Sequence, residues 1–223
     1  KRDWSSDVCS SDLLANFKLP ADGGTQYVYR EIFERQCYAP VLGLPEPRSI
    51  LDIGAHVGIA AAFFRLACPN SPIFCVEPDP RSYAMLEYNA AHIGNCRAFN
   101  VGLSDVSGSQ RLNVSRSSVL SSFLENPWSE AVSTPVDIDV RAAGDFAREL
   151  HSDFDTIKVD TEGSEIPILQ SLGSITAAAH TIHIEFHSHA DRRAIDDLLC
   201  SSHFLWRGTV EHGHRGLLTY VRQ

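Results

Sequence analysis

Residues 49–58 read Ser-Ile-Leu-Asp-Ile-Gly-Ala-His-Val-Gly, an apolar run that leads into a turn with two glycines. The run predicts a short buried strand, and the alanine-rich stretch at 60–66 predicts a helix directly after it. Glycines at such a turn let the backbone approach a ligand closely, and the helix N-terminus offers N–H donors. This stretch therefore favours an α/β fold with a ligand at the end of its first strand.

The rest of the chain repeats this alternation of strand and helix. Apolar runs predict further strands at 73–76, 95–101, 156–159 and 181–186. Helices are expected over 26–37, 81–91, 165–172 and 191–202. Such an order predicts a doubly wound, mostly parallel sheet that binds its ligand at the carboxyl ends of the strands. The last two runs, 204–206 and 217–221, predict a C-terminal antiparallel hairpin.

Two N-terminal stretches are expected to lie outside this domain. Residues 4–13 resemble the translation of a widely used sequencing adapter, so we expect 1–13 to be a non-native leader. Residues 14–48 are expected to form an N-terminal helical segment, and the domain itself would then span 49–223.

One insertion interrupts the alternation within the domain. Residues from about 105 to 155 form a connection that is too long to be routine. It contains two stretches of alternating polarity, 110–114 and 135–140, on either side of a Ser-rich segment at 115–122. We expect a hairpin-like cap over the cleft, with the Ser-rich segment as a lid, rather than a second domain.

Composition excludes several classes of function. The chain carries 19 basic and 28 acidic residues, a net charge of −9, whereas domains that grip phosphate backbones are usually basic. No apolar run approaches the ~18 residues of a membrane span. We therefore expect neither a nucleic-acid nor a membrane partner. Of six cysteines, Cys9 lies in the leader and the others form no Cys-x-x-Cys pair, which favours free thiols and the cytoplasm.

Two acidic residues point to a nucleoside ligand. Asp52 stands near the end of the first strand, where the loop lacks the middle glycine of a Gly-x-Gly-x-x-Gly pyrophosphate cradle. A carboxylate there suits a cationic group, such as the amino-acid part of S-adenosylmethionine. Glu77 ends the next strand, 25 residues later, where it can accept hydrogen bonds from two ribose hydroxyls. Both NAD and S-adenosylmethionine present that ribose.

A third motif, Ile157-Lys158-Val159-Asp160-Thr161-Glu162-Gly163-Ser164-Glu165, separates these two cofactors. Together with 51–58 and Val76-Glu77-Pro78-Asp79-Pro80, it resembles the FkbM family of S-adenosylmethionine-dependent methyltransferases. Further matches extend the resemblance over about residues 27–190, namely Asn100-Val101-Gly102-Leu103-Ser104-Asp105 and Ile184-Glu185-Phe186-His187. One departure is His56, where the family more often carries Asn.

The resemblance implies an α/β fold, the Rossmann-like sheet of class I methyltransferases, and it implies a cofactor site. The methionine part would lie beside the first loop, at Asp52, Gly54, Ala55, His56 and Gly58. The ribose and adenine would lie beside the next two strands, at Glu77, Pro78, Leu103, Ser104 and Asp105. The resemblance also implies methylation of oxygen on sugars, glycosides or secondary metabolites.

Candidate catalytic residues follow the fourth and fifth strands of the main sheet. Asp160 would face the methyl sulfonium and the acceptor, with Glu185 and His187 beside it. Either His187 is a general base oriented by a carboxylate, or Asp160, Glu185 and His187 hold a divalent metal such as Mg²⁺. A plainer interpretation pairs Lys158 with Glu185 across adjacent strands.

Two further glutamates follow Asp160, and they are expected to play different parts. Glu162 is a candidate acceptor-binding residue. Glu165 begins a helix, where an acidic residue complements the helix dipole whatever the function.

Three functions remain to be compared. The favoured one is an S-adenosylmethionine-dependent O-methyltransferase acting on a hydroxylated small molecule or saccharide. An NAD-dependent oxidoreductase is disfavoured by the missing middle glycine and by Asp52. A cofactor-binding module without catalysis is disfavoured by the presence of Asp160 and Glu185.

Overall fold

The computed structural model describes residues 13–20, 24–114, 134–210 and 214–223. In chain order the strands are β1 (Ile50–Ile53), β2 (Ile73–Val76), β3 (Cys96–Phe99), β4 (Gly102–Ser104), β5 (Gly108–Val114), β6 (Thr134–Ala142), β7 (Thr156–Val159), β8 (Thr181–Phe186), β9 (His203–Gly208) and β10 (Gly216–Arg222). The helices are α1 (Gly24–Tyr29), α2 (Ile59–Ala67), α3 (Pro80–Ile93), α4 (Ala143–Glu149), α5 (Glu165–Leu172), α6 (Ser174–Ala178) and α7 (His189–Leu199), and a π-helical turn, Arg30–Glu34, continues α1.

Seven of these strands form the main sheet, in the order β3-β2-β1-β7-β8-β10-β9. The first five are parallel to one another, and β10 runs antiparallel to both β8 and β9. This arrangement confirms the doubly wound sheet and the C-terminal antiparallel hairpin that the sequence predicts.

Strands β1, β2 and β7 are short, buried along their whole length and apolar apart from Asp52, Thr156 and Lys158. Helices cover both faces of the sheet, which explains why these strands read as continuous apolar runs rather than alternating ones. On one face Ile53, Ile157 and Ile184 belong to a cluster with helices α4 and α5. On the other face Ile50 packs with Phe64 of α2. Full burial of each such side chain contributes roughly 1.5–3 kcal/mol.

A second, three-stranded sheet has the order β4-β6-β5; β5 and β6 lie in the predicted insertion, and β4 lies just before it. The two alternating stretches pair antiparallel with each other as parts of β5 and β6. The Ser-rich segment at 115–122 lies outside the described residues. Helix α4 follows β6 and was not predicted, although Phe146 and Ala147 on its inner side are buried. The single strand predicted at 95–101 was too long, because β3 ends at Phe99 and β4 belongs to the second sheet.

The expected N-terminal boundaries remain predictions. Residues 1–12 lie outside the described residues, so the proposed leader stays untested. The helix expected over 26–37 is divided between α1 and the π-helical turn. Among the described residues, none of the helices combines the length and the apolar character that crossing a bilayer needs.

Candidate active site

A cavity of about 300 Å³ opens at the carboxyl ends of the parallel strands. The strand ends contribute Gly54, Ala55, His56, Glu77, Pro78, Asp160, Thr161, Glu162 and Glu185 to its lining. Its remaining walls include Tyr27 and Glu31 from the N-terminal helical segment, Leu103 and Leu112 from the second sheet, and Arg215 from the loop before β10. The switch point of a doubly wound sheet is where such folds bind ligands.

Gly54 brings the first and third sequence motifs into contact. Its φ is +77°, and a Cβ added there would lie 1.7 Å from the backbone oxygen of Asp160. Only glycine fits this position, because a side chain would collide with the backbone after β7. Gly58 also has a positive φ, but a Cβ there would press on Leu86 of α3. Gly54 therefore shapes the cavity, whereas Gly58 permits packing between helices α2 and α3.

Glu77 presents its carboxylate at the end of β2. One oxygen accepts a hydrogen bond from the backbone N–H of His56 (2.8 Å), and the other accepts one from Asp79 (2.9 Å). His56 has a φ of +51°, a left-handed conformation that is uncommon for a residue with a side chain. Burial raises the pKa of Glu77 to about 7, even though both N–H groups favour the carboxylate. Each oxygen keeps a second lone pair for a hydroxyl donor.

Asp52 is fully buried behind the cavity wall and is paired with a lysine. The Lys158 ammonium donates to Asp52 Oδ1 (2.9 Å) and to the backbone oxygen of Gly54 (2.8 Å). Asp52 Oδ2 finds no hydrogen-bond partner within the described residues. The structure thus places Lys158 beside Asp52, the carboxylate that was expected to contact the cationic part of the cofactor. A direct contact between Asp52 and the cofactor stays a prediction.

Lys158 does not pair with Glu185, so that interpretation was wrong. Across the β7–β8 register Lys158 faces His183, and Glu185 lies beyond it toward the carboxyl end. Burial alone would lower the pKa of Lys158, but the charges of Asp52 and Asp160 raise it above its usual value. The buried lysine is therefore a fixed positive charge behind the site.

Two neighbouring side chains hold the Asp160 carboxylate in place at the cavity surface. Tyr38 donates its phenolic hydrogen to Asp160 Oδ2 (3.1 Å), and Lys158 Nζ lies 3.6 Å from the same oxygen. Burial would raise the pKa of Asp160, but the Lys158 charge and hydrogen bonds from Glu185 and Tyr38 hold it below its usual value. Asp160 consequently remains ionised at the cavity surface near neutral pH.

His187 is surrounded by carboxylates. Its Nε2 lies 3.4 Å from Glu165 Oε1 and 3.5 Å from Glu185 Oε2, and its Nδ1 lies 3.8 Å from Glu162 Oε2. Burial would lower the pKa of His187, but the neighbouring glutamates, Glu165 first, raise it above its usual value. These contacts favour the imidazolium form, which cannot accept a proton. The geometry therefore disfavours His187 as the general base, and it lies beside the cavity lining rather than in it.

The structure changes the set of possible metal ligands. Side-chain ligand atoms of Glu162, Glu185 and His187 all lie within 4.8 Å of one another. The predicted set had Asp160 in place of Glu162. Asp160 is not one of these three residues: its carboxylate contacts Tyr38 and Lys158, and it also shares a hydrogen bond with Glu185.

The remaining predicted residues fall into two groups. Ala55, Pro78, Leu103 and Glu162 line the cavity as expected. Ser104 is buried and contacts Asp105 (Oγ to Oδ1, 3.1 Å), away from the lining. Glu165 accepts hydrogen bonds from the backbone of Thr161 and Gly163, which holds the loop after Asp160. Its carboxylate therefore acts structurally, as predicted, although it also contacts His187.

Two residues of the site, Tyr38 and Arg215, were not predicted from the sequence. Tyr38 lies 122 positions before Asp160, and nothing in its local sequence signals that contact. Arg215 lies in the turn of the C-terminal hairpin and contacts Glu185 at 2.7 Å. The pairing of Leu217 with Glu185 in the β8–β10 register would have placed Arg215 here, had that register been known.

Comparison with known proteins gives a family and a fold. A family model described as "Methyltransferase FkbM domain" matches residues 52–215. The chain is 28% identical over 178 residues to "Methyltransferase sdnD" of Sordaria araneosa, covering 66% of this chain and 68% of that protein. It is 27% identical over 181 residues to "2-O-methyltransferase NoeI" of Sinorhizobium fredii, covering 72% and 74%.

A solved structure matches the fold alone. Aeropyrum pernix fibrillarin, in complex with natively bound S-adenosyl-L-methionine, superposes with a TM-score of 0.50 at 13% identity. The match covers 84% of this chain and 74% of fibrillarin.

Proposed function

The chain belongs to the FkbM methyltransferase domain family, and we propose that it transfers a methyl group from S-adenosylmethionine to a hydroxyl oxygen of a small acceptor. The acceptor class is a saccharide, a glycoside or another hydroxylated metabolite. The observation that carries the proposal is the Asp160 carboxylate in the cavity lining, where Tyr38 and Lys158 contact the same oxygen. The name of the relative NoeI, a 2-O-methyltransferase, supports oxygen as the acceptor atom.

The cofactor half of the cavity suits a nucleoside with a short charged arm. Glu77 offers two carboxylate oxygens to ribose hydroxyls, and Leu103 and Leu112 offer an apolar surface to a flat base. The absent side chain at Gly54 lets the backbone of Asp160 pack against the first loop, and both line the cavity where the methionine part would lie. When bound, S-adenosylmethionine supplies a methyl carbon that is already activated by a sulfonium. NAD fits the ribose contact equally well, but the family assignment and the missing middle glycine of the first loop favour S-adenosylmethionine.

Asp160 has the properties of the base in this reaction. The acceptor oxygen forms a bond to the methyl carbon while the carbon–sulfur bond breaks and its electron pair stays on sulfur. The hydroxyl proton passes to the Asp160 carboxylate. Lys158 stays charged and stabilises the ionised aspartate beforehand, and Tyr38 fixes one of its oxygens. Positioned proton transfer of this kind contributes about 10²–10⁴ in rate.

The charge of the acceptor half suits a molecule with several hydroxyls. Besides Asp160, carboxylates of Glu31, Glu162 and Glu185 line the cavity. Carboxyl oxygens accept hydrogen bonds, so they match the hydroxyl donors of a sugar or polyol. Burial and the charge of Asp160 raise the pKa of both Glu162 and Glu185. An anionic acceptor would meet repulsion from the ionised Asp160 carboxylate.

Methyl transfer from isotopically labelled S-adenosylmethionine to a panel of acceptors tests this function. The panel contains saccharides, glycosides, phenols and amines of similar size. We expect labelled methyl ethers from the wild-type protein and none above background from Asp160→Asn, which should still bind S-adenosylmethionine. Products methylated only at nitrogen, or equal turnover by Asp160→Asn, would contradict the proposal. Binding of S-adenosylmethionine without transfer to any acceptor would favour the non-catalytic module instead.

A further inference from the structure

Four ionisable side chains alternate around the acceptor end of the cavity. Nη2 of Arg215 contacts Oε1 of Glu185 (2.7 Å) and Oε1 of Glu162 (3.4 Å). On the opposite side, His187 contacts Oε2 of the same two glutamates, at 3.5 Å from Glu185 and 3.8 Å from Glu162. Each carboxylate therefore spans from the arginine to the histidine.

Two of the three residues suited to a metal already contact a cation, the Arg215 guanidinium. Glu162, Glu185 and His187 have the spacing for a divalent ion, whose oxygen and nitrogen ligands would have to close to about 2.0–2.2 Å. The Arg215 guanidinium contacts one oxygen of each of the two carboxylates, Glu162 and Glu185. Burial would lower the pKa of Arg215, but Glu185 and Glu162 raise it above its usual value, so its charge is permanent.

We propose that Arg215 is the resident cation of the acceptor end and excludes divalent metals from Glu162, Glu185 and His187. A guanidinium and a divalent ion within a few ångströms of one another repel, because the half-buried site screens their charges poorly. For the ion to bind, the glutamates would have to leave Arg215 and abandon charge-assisted hydrogen bonds. Arg215 performs the neutralisation that a metal would otherwise perform.

This assignment concerns the same site as the proposed function, and its consequence for catalysis rests on that function. With Arg215 as the cation, methyl transfer needs no divalent metal, and Asp160 alone accepts the proton. Arg215 acts on the acceptor through Glu162 and Glu185, whose orientation it fixes, so it is a positioning residue. The Mg²⁺ alternative raised by the sequence is then replaced by a side chain from the β9–β10 hairpin.

Titration of Mn²⁺ alone, followed by calorimetry, tests the assignment without any cofactor or acceptor. The wild-type protein should show no saturable binding below about 1 mM, the weak end of protein sites for hard cations. Arg215→Met should bind Mn²⁺ at least tenfold more tightly, because two carboxylates and a histidine lose their cation. Arg215→Lys keeps the charge and should behave like the wild-type protein.

Two controls make the result specific to this cluster. Arg148→Met removes an exposed arginine that, within the described part of the chain, forms an ion pair with Asp145, and it should leave Mn²⁺ binding unchanged. The double variant Arg215→Met with Glu185→Gln should lose the new site. If Arg215→Met does not fold, Arg215→Gln keeps a donor to Glu185 without the charge and gives the same test.

Equal Mn²⁺ affinities for the wild-type protein and Arg215→Met would overturn the inference, whether both are tight or both weak. Loss of wild-type methyl transfer in a chelator, restored by adding a divalent metal, would overturn it as well. A separate titration of S-adenosylmethionine tests the proposed function. The two ideas can therefore fail independently, since Mn²⁺ binding requires neither the cofactor nor an acceptor.

Discussion

The two halves of the cavity are built in different ways. The cofactor half consists of backbone geometry and one carboxylate, at Gly54, His56 and Glu77, all within one β-α-β segment. The acceptor half is a set of charged and polar side chains from distant parts of the chain, among them Tyr38, Asp160 and Arg215.

This difference has a physical basis. A nucleoside cofactor is the same molecule in every such enzyme, so a local turn and a strand end suffice to hold it. An acceptor with several hydroxyls needs donors and acceptors on several sides, and these come from whichever elements the fold brings to the sheet edge. Substitutions in the two halves should therefore affect different measurements.

Gly54→Ala should affect both halves of the cavity, because Gly54 lies where the first loop contacts the backbone of Asp160. The new Cβ would lie 1.7 Å from the Asp160 carbonyl, so the loop and the end of β7 must separate. We expect the free energy of unfolding to fall by at least ~3 kcal/mol and S-adenosylmethionine binding to be lost. Chemical denaturation measures the first effect and calorimetry the second.

Gly43→Ala is the matched control, because Gly43 also has a positive φ but an added Cβ there meets nothing within 4 Å. It should lose only about 1–2 kcal/mol through backbone strain. Equal destabilisation by the two substitutions would show that the contact with Asp160 does not matter.

Asp160→Asn should separate the halves most cleanly. The amide keeps the shape of the side chain but cannot accept the proton, so we expect kcat to fall by about 10²–10⁴. The affinity for S-adenosylmethionine should change less than threefold. Asp145→Asn, at an exposed carboxylate of α4, is the control and should leave both quantities unchanged. If Asp160→Asn lowered only the affinity for S-adenosylmethionine, Asp160 would belong to the cofactor half and the proposed role as base would be contradicted.

Glu77 gives the cofactor half a pH dependence of its own. Burial raises its pKa to about 7. In the proposed function, ribose hydroxyls would donate to the ionised form. Binding therefore competes with protonation, and the affinity for S-adenosylmethionine should fall as the pH drops below 7, by up to about tenfold per pH unit. Glu77→Gln should bind about tenfold more weakly at pH 8 and lose this dependence.

Calorimetry at pH 6, 7 and 8 separates the two proteins. Glu149→Gln, at an exposed partner of Arg141, should retain the wild-type profile. A pH-independent wild-type affinity would argue against Glu77 as the ribose ligand.

Tyr38→Phe should have the smallest effect, confined to the acceptor half. Loss of one hydrogen bond to Asp160 costs roughly 0.5–1.5 kcal/mol, or about two- to tenfold in kcat. Because that bond lowers the pKa of Asp160, its loss should also move the acid limb of the kcat–pH profile to higher pH. Tyr88→Phe, on exposed α3, is the control. An unshifted acid limb would assign Tyr38 a purely structural role.

The same contrast explains what the sequence could predict. The first loop, the β2 carboxylate and the order of the parallel strands depend on residues close in the chain, and the fold was predicted correctly from them. Tyr38 and Arg215 depend on contacts across 122 and 30 positions, which no local pattern encodes. The sheet register likewise decided that Lys158 serves Asp52 rather than Glu185.

Protonation is a second property that the local sequence does not determine. The sequence placed His187 near carboxylates, and the structure shows that three of them surround it. One carboxylate can orient a base, whereas three stabilise a cation. In the proposed function the base is therefore Asp160, and the role of His187 stays a prediction.

Separate calorimetric titrations of S-adenosylmethionine and NAD into the wild-type protein decide which cofactor it binds, because both present the ribose that Glu77 would hold. We predict saturable binding of S-adenosylmethionine, weakened about tenfold in Glu77→Gln at pH 8, and no saturable binding of NAD. Saturable binding of NAD without binding of S-adenosylmethionine would contradict this prediction.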